Sequence, residues 1–438
     1  MLSYSGKNVI GTPDIMLGGL VSTTDFAHVD LFRDKELPQD PYPFYDWVRE
    51  HGPIWYYPLW DVWLVTGYDE AIAIYHDQTT WSNCNTVSGP FFKMSVPLEG
   101  DDITQIIEEH RDELPFSDQL PSFDPPKHTA HRGLLMRLIT PKRLKENEEY
   151  MWQLADDQID QFVDRGECEL LHDYAIPFTL LVIADLLGVP DEDREAFLAH
   201  LNTKVRAARM EHKPLGYLYE QFTHYIEDRR ANPRDDVMTE MAMATFPDGT
   251  LPPVEDVMRI AANLFSAGSE TTARLIGMCI RTLGDHPEFQ QRLRDDQRLV
   301  SPFIEEMLRT EAPLKGSFKL SRVKTTVGGV ELPPGTTVFL MTDAASRDPR
   351  HFDHPGEFRL DRPNGRQHLG FGHGIHTCAG APLARAETHA TLVRFLERMS
   401  DIRISEAHHG PPTARRYEYD PTYMLRGLKE LHIEFDRA

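Results

Sequence analysis

The densest concentration of chemically capable residues is the run Phe371-Gly372-His373-Gly374-Ile375-His376-Thr377-Cys378-Ala379-Gly380, which leads directly into a helical pattern. A thiolate that ligates a metal needs backbone donors turned toward its sulfur and close approach of the chain to the metal's face. Glycines at 372, 374 and 380 permit both. The N-terminal N–H groups and dipole of the following helix would stabilise an anionic sulfur. An isolated cysteine is more often a buried core residue, but the glycine spacing and the helix start favour the ligand. His376, two residues earlier, could hold an acidic group of a bound cofactor.

A second constellation lies inside a long apolar pattern over residues 254–284, at Ala267-Gly268-Ser269-Glu270-Thr271-Thr272. Mid-helix glycine costs about 1 kcal/mol relative to alanine, and unpaired buried polar groups cost more. Such local violations are expected where a site has been built. The Thr271 hydroxyl can take the carbonyl of Ala267 and open a groove in the helix, Gly268 removes a side chain where a flat cofactor could approach, and Glu270 with Thr271 pairs an acid with an alcohol that can move a proton. Alone, the same pattern reads equally well as a solvent-facing turn.

Together these runs carry a resemblance. The cysteine run resembles the haem-binding loop of the cytochrome P450 family, with Phe371, Gly374, Cys378 and Gly380 at that family's spacing. The stretch 267–272 resembles its oxygen-activating helix, with Glu where Asp is the common alternative. Glu306 and Arg309, spaced i, i+3, resemble its Glu-x-x-Arg pair, with Arg362 as the third, structural member. His128 and Arg132, spaced i, i+4 after Asp124-Pro125-Pro126, match with His376 and Arg322 its haem propionate ligands. The resemblance covers about residues 41–438; Ser346 stands where the family usually has Asn before Arg347-Asp348-Pro349, and the segment 82–124 is long.

The resemblance implies a mainly α fold with a minor β-region, the cytochrome P450 fold, and haem b ligated by Cys378, with Ala267, Gly268, Phe371, Gly372 and Gly380 against it. It implies a monooxygenase that activates dioxygen and hydroxylates a small apolar substrate, with electrons from a separate ferredoxin and reductase, since no fused flavin or iron–sulfur domain is visible. Asn263, Leu314 and Phe318 are the candidate pocket residues. A non-catalytic haem sensor or ligand carrier, and a peroxide-driven peroxygenase, are the alternatives, and Glu270 with Thr271 argues against both.

The elements that must position these groups are partly legible. Residues 54–57 and 62–65 predict a hairpin, residues 126–312 a helical body, residues 318–341 further strands, and 379–399 a helix after the 367–380 loop. The β-region therefore falls near 53–66 and 318–341, within one domain over 26–438 preceded by an extension over 1–25. Residues 82–125 predict an irregular segment with one short helix. Four cysteines without paired spacing exclude a disulfide framework or a zinc site. The net charge of -23 argues against nucleic acid or an anionic membrane as partner; neither a membrane span nor a secretory leader is legible, so the expectation is a cytoplasmic protein. Against that charge, residues 125–144 hold Lys127, Arg132, Arg137, Lys142 and Arg143 and no acid, a patch suited to an acidic iron–sulfur donor.

Overall fold

The computed structural model describes residues 15–16, 26–204, 215–420 and 422–438. They are mainly helical with small sheets. The chain begins with β1 (Ile15–Met16), α1 (Tyr42–Glu50), β2 (Ile54–Tyr57), β3 (Val62–Val65), α2 (Tyr68–His76), β4 (Trp81–Ser82) and α3 (Thr104–His110). The helical body follows as α4 (Lys127–Leu138), α5 (Pro141–Asp160), β5 (Glu167–Glu169), α6 (Ile176–Leu187), α7 (Asp191–Lys204), α8 (Gly216–Ala231), α9 (Val237–Ala242), α10 (Val254–Asp285), α11 (Pro287–Asp295) and α12 (Val300–Thr310). The last part comprises β6 (Ser317–Ser321), β7 (Thr325–Val327), β8 (Val330–Leu332), β9 (Thr337–Leu340), α13 (Thr342–Ala345), β10 (Glu357–Phe358), α14 (Ala381–Arg398), β11 (Met399–Ile404) and β12 (His432–Arg437). Apart from β1, which pairs with β10, the 1–25 extension lies outside the described residues.

Local chemistry sets the ends of these elements. The Thr140 side chain accepts from Arg143 N at 3.3 Å, with Pro141 at the first position of α5, so an otherwise orphaned N–H is satisfied and φ is preset. Gly188 closes α6 at φ 72 and returns its N–H to Ala184 and Asp185 carbonyls. β2 and β3 occupy the bounds the alternation predicts, joined through Asp61 at φ 53.

Strands β2, β3, β9, β6 and β4 form one sheet in that order, with β3 parallel to β9 and the other pairs antiparallel. β11, β12 and β5 form a second. The main core joins α4 to α6, α8 to α12 and α14, and α10 runs through it against α4, α6, α8, α12 and α14. Among the described residues, no helix is long and apolar enough to cross a membrane. Between Phe265 and Thr272, both buried, lie six consecutive residues of α10 that are not. In a helix that runs through the core, six consecutive residues without burial at the middle mark a place where a local rule is broken for a site.

Candidate active site

Cys378 stands just ahead of α14. Its N–H donates to Phe371 O at 2.9 Å, Gly372 N to Leu369 O at 2.8 Å, and Thr377 N and Oγ1 both reach Gly374 O. Gly374, at φ 69, lies so close to α2 that a Cβ would fall 2.5 Å from the Tyr75 carbonyl oxygen. Gly380 differs from the sequence expectation: its φ of -79 is ordinary and a Cβ would meet only Cys378 Sγ at 3.9 Å, so backbone freedom is not what glycine supplies there. The backbone N–H groups of Gly380 and Ala381 point at the sulfur, as the helix start predicts. The thiol is accessible, yet burial pushes its pKa up against the Gly380 N–H, the Arg132 charge, the Ala381 N–H and the Arg385 charge.

Beside the loop, His128 and His376 bring their rings to 4.0 Å. Both nitrogens of His128 and Nε2 of His376 are buried without a hydrogen-bond partner. Burial first, then the Arg132 charge, holds His128 down to about 4; burial, then Lys319, His128 and Arg132, holds His376 down to about 2. Arg132 donates from Nη2 to Thr377 O at 2.7 Å. Arg322 is a correction: its Nη2 meets Asp124 Oδ2 at 2.7 Å and Glu108 Oε1 at 3.4 Å, so its charge is already committed to carboxylates. A second cation that, like Arg132, acts on both imidazoles is Lys319, which sequence reasoning missed; it is 2% exposed, donates to Asn83 Oδ1, and burial lowers it to about 8.

Phe318 is the matching correction. It is fully buried against Phe32, Phe91 and Phe339, with centroids 5.6, 6.2 and 4.6 Å away, and packs into the aromatic cluster around α1 instead of lining a pocket. Successive strand residues point to opposite faces, so in β6 the outward course of Phe318 goes with the site-facing course of Lys319. The alternation is invisible in the sequence because residues 318–321 are all buried. Leu314 is partly buried and bridges Leu425.

On α10, the Thr271 hydroxyl donates to Ala267 O at 2.7 Å, the bond the sequence suggests, and Ala267 itself is exposed in mid-helix. A Cβ at Gly268 would meet only Ile183 of α6, at 3.4 Å. Glu270 Oε1 accepts from Arg274 Nη2 at 2.6 Å. Asn263 shares the face of Ala267 and Thr271 by i, i+4 register, and its Nδ2 is buried without a partner.

The comparisons with known proteins bear on this geometry. The family model for Cytochrome P450 matches residues 190–406. Over 398 residues, 86% of this chain, the sequence is 33% identical to Cytochrome P450 144 of Mycobacterium tuberculosis, 87% of which is covered. The chain belongs to the cytochrome P450 family. It is also 31% identical over 419 residues to the cytochrome P450 monooxygenase PikC of Streptomyces venezuelae, covering 92% of this chain and 93% of that one. The structure of Mycobacterium marinum cytochrome P450 CYP150A6 in the substrate-free form matches with a TM-score of 0.90 and 49% identity, covering 94% of this chain and 100% of that chain. The protein is a cytochrome P450 monooxygenase with the cytochrome P450 fold, so the alternative of a non-catalytic sensor or carrier falls away. Family membership implies a haem cofactor.

The donor set of this P450 fits such a group. Three buried ring nitrogens without partners, next to Arg132 and Lys319, are costly unless acceptors meet them, and two carboxylates on the edge of a flat cofactor would satisfy them by charge-assisted bonds. Around the loop, Glu306 Oε1 accepts from Arg309 Nη2 at 2.7 Å and Arg362 Nε at 2.9 Å, all three side chains at most 2% exposed. Its neighbour Glu305 makes a second cluster with Arg385 Nε at 2.7 Å and His368 Nε2 at 3.0 Å, and Arg385 lies 4.6 Å over the Phe371 ring. Two adjacent acids in an apolar helix were the available signal for Glu305. The basic stretch is less free than its sequence suggests. Arg132 is turned inward, Arg143 pairs with Glu240, and Lys142 lies 3.6 Å from Glu146; Arg137 stays exposed.

Glu387 on α14 is a further buried acid, 1% exposed, with Oε2 unpartnered and Thr272 of α10 as its hydrogen-bond partner. Burial pushes its carboxyl well above the usual range. The folded state therefore binds a proton that the unfolded state releases above about pH 4.3, so this group's contribution to stability falls as pH rises toward the folded value. Glu387→Gln keeps the shape and removes the titration. Thermal melts of the holoenzyme should show the variant gaining on wild type by several degrees between about pH 5 and pH 8; parallel curves would contradict a neutral Glu387.

Proposed function

We propose that this P450 binds haem b (iron protoporphyrin IX) with Cys378 as its thiolate ligand and hydroxylates a small apolar substrate, residues 26–438 acting as one domain. The observation that carries the reading is the convergence of an accessible thiol under helix N–H groups with the unspent donors of His128 and His376. Cys378 would ligate the iron; His128, Arg132, His376 and Lys319 would hold the propionates; Phe371 and Gly372 would shape the loop under the ring. When bound, the haem supplies dioxygen activation and oxygen-atom insertion.

The chain's own part is to deliver protons and keep water out. Thr271 Oγ1 donates its one hydrogen to Ala267 O, so passing a proton on would require that hydrogen to turn toward the pocket while the oxygen accepts one from a donor behind it. Glu270 is the adjacent acid that resupplies it. The Nδ2 of Asn263, higher on the same face, offers one donor to a polar group of an otherwise apolar substrate, with Leu314 across the pocket. Electrons would come from a ferredoxin-type donor and its reductase, with Lys127, Arg137 and Lys142 as the exposed cations of the 125–144 stretch.

The test compares Thr271→Ala with wild type, each turned over with donor proteins and NAD(P)H and with peroxide alone. The variant should bind haem and consume NAD(P)H normally while product per NAD(P)H falls by about tenfold or more and peroxide accumulates. Unchanged coupling would remove Thr271 from the relay, and wild-type turnover that needs only peroxide would favour a peroxygenase.

A further inference from the structure

The Glu270 carboxylate is held on its far side. Arg274 Nη2, which donates to it at 2.6 Å, also donates to Asp420 Oδ2 at 3.1 Å. Arg274 is 5% exposed, and its Nε and Nη1 have no partner. It lies against Gly427, where a Cβ would fall 2.5 Å from Arg274 Cγ and Nη1; the missing side chain is what makes room for the guanidinium. Asp420 and Gly427 belong to one hairpin, Asp420 N donating to Gly427 O at 3.0 Å and Tyr419 bridging Leu428.

That hairpin is tied to the segment after α12. Arg426 N donates to Pro313 O at 2.7 Å, Lys315 N to Met424 O at 2.8 Å, and Leu425 bridges Leu314. The other cations on these elements have partners of their own: Arg426 pairs with Glu311, and Lys315 Nζ donates to Thr422 O at 2.9 Å. On α10, residues 270 and 274 share one face while 267 and 271 share the next, about 100° around the axis. The acid and the alcohol thus sit on neighbouring faces, the alcohol anchored on Ala267 and the acid on the hairpin.

We propose that Arg274 and Asp420 are positioning residues of the proton relay: they hold the Glu270 carboxylate on the hairpin side of α10, and the strength of that hold sets how fast Glu270 passes protons toward Thr271. This rests on the reading of Glu270 and Thr271 as a relay. Because Leu425 of the same hairpin meets Leu314, a substrate that shifts the 311–317 segment also shifts the far anchor of the acid.

The test uses the holoenzyme with its donor proteins and follows kcat, substrate KM, product per NAD(P)H and the solvent isotope effect. Asp420→Asn leaves Arg274 wholly to Glu270, so kcat should fall about threefold and the isotope effect rise, with KM unchanged within about twofold. Arg274→Gln removes the guanidinium that both carboxylates share, so kcat and product per NAD(P)H should fall further than in Asp420→Asn. Arg274→Lys should restore part of both. Infrared difference spectra of the carboxylate stretches should register the lost ion pair without turnover. Glu270→Gln separates the outcomes. If it changes none of these readouts, the relay reading fails and the clamp with it. If it changes them while Arg274→Gln and Asp420→Asn match wild type, the clamp alone is overturned. Should Arg274→Gln not fold, Asp420→Asn decides.

Discussion

Cys378→Ala is expected to abolish both the spectroscopic signature and the reaction of this P450. In the reduced protein under carbon monoxide, the strongly red-shifted Soret band of thiolate ligation should disappear, because no other side chain of the loop can present an anionic sulfur. Product formation should fall by at least about a hundredfold, the scale on which loss of one preorganised electrostatic group registers in catalysis. The haem should bind more weakly but not be excluded, since the substitution leaves His128, Arg132, His376 and Lys319 in place to meet its carboxylates. The measurement is a reduced carbon monoxide difference spectrum of both proteins, with haem content determined separately. A wild-type spectrum of histidine-ligated haem, or a variant that keeps the red-shifted band, would remove Cys378 from the iron and the proposed function with it.

The largest expected effect on stability comes from Glu306→Ala. The carboxylate takes Arg309 through both oxygens at 2.9 and 2.7 Å, Arg362 Nε at 2.9 and 3.1 Å, and the backbone N–H of Arg359 at 3.0 Å. Arg309 spends its remaining donors on the carbonyls of Ser346, Pro355 and Glu357, so it binds α12 to the coil ahead of the cysteine loop. Removing the acid leaves two buried guanidinium groups facing each other. Breaking one side of a buried pair costs about 3–5 kcal/mol, a large share of a net stability of about 5–15 kcal/mol. Holoenzyme should accumulate poorly, and what is recovered should melt about 10 °C lower. Glu306→Gln, which keeps the acceptor but not the charge, should lose less. A Glu306→Ala protein that melts within about 2 °C of wild type would mean that the trio is not what secures the coil.

Much of the site was legible because its signals are local. Glycine spacing around Cys378, the polar turn inside α10 and the i, i+3 spacing of Glu306 and Arg309 are all set within one or two turns of chain, where periodicity and backbone geometry act directly. The bond from Thr271 to Ala267 is of the same kind, a four-residue reach inside one helix. The hairpin of β2 and β3 likewise needs only alternation and a turn.

Where two distant segments must meet, the same reasoning fails in identifiable ways. Choosing Phe318 over Lys319 is an error of strand parity: β6 is covered on both faces, so hydrophobicity no longer says which course turns toward the site. Arg322 has the right charge, but whether a carboxylate has already taken it depends on Asp124, 198 residues away. Gly268 packs against Ile183 because of how α6 crosses α10. Glu387 is a buried acid pushed upward by desolvation only through the meeting of α14 with α10, and Glu270 finds Asp420 through Arg274 and a hairpin 146 residues further on. The sequence by itself therefore determined which residues can do the chemistry and the local shape that presents them. The tertiary structure decided which charges are spent and which remain for a ligand, because desolvation and Coulomb energies depend on neighbours in space that no local spacing records.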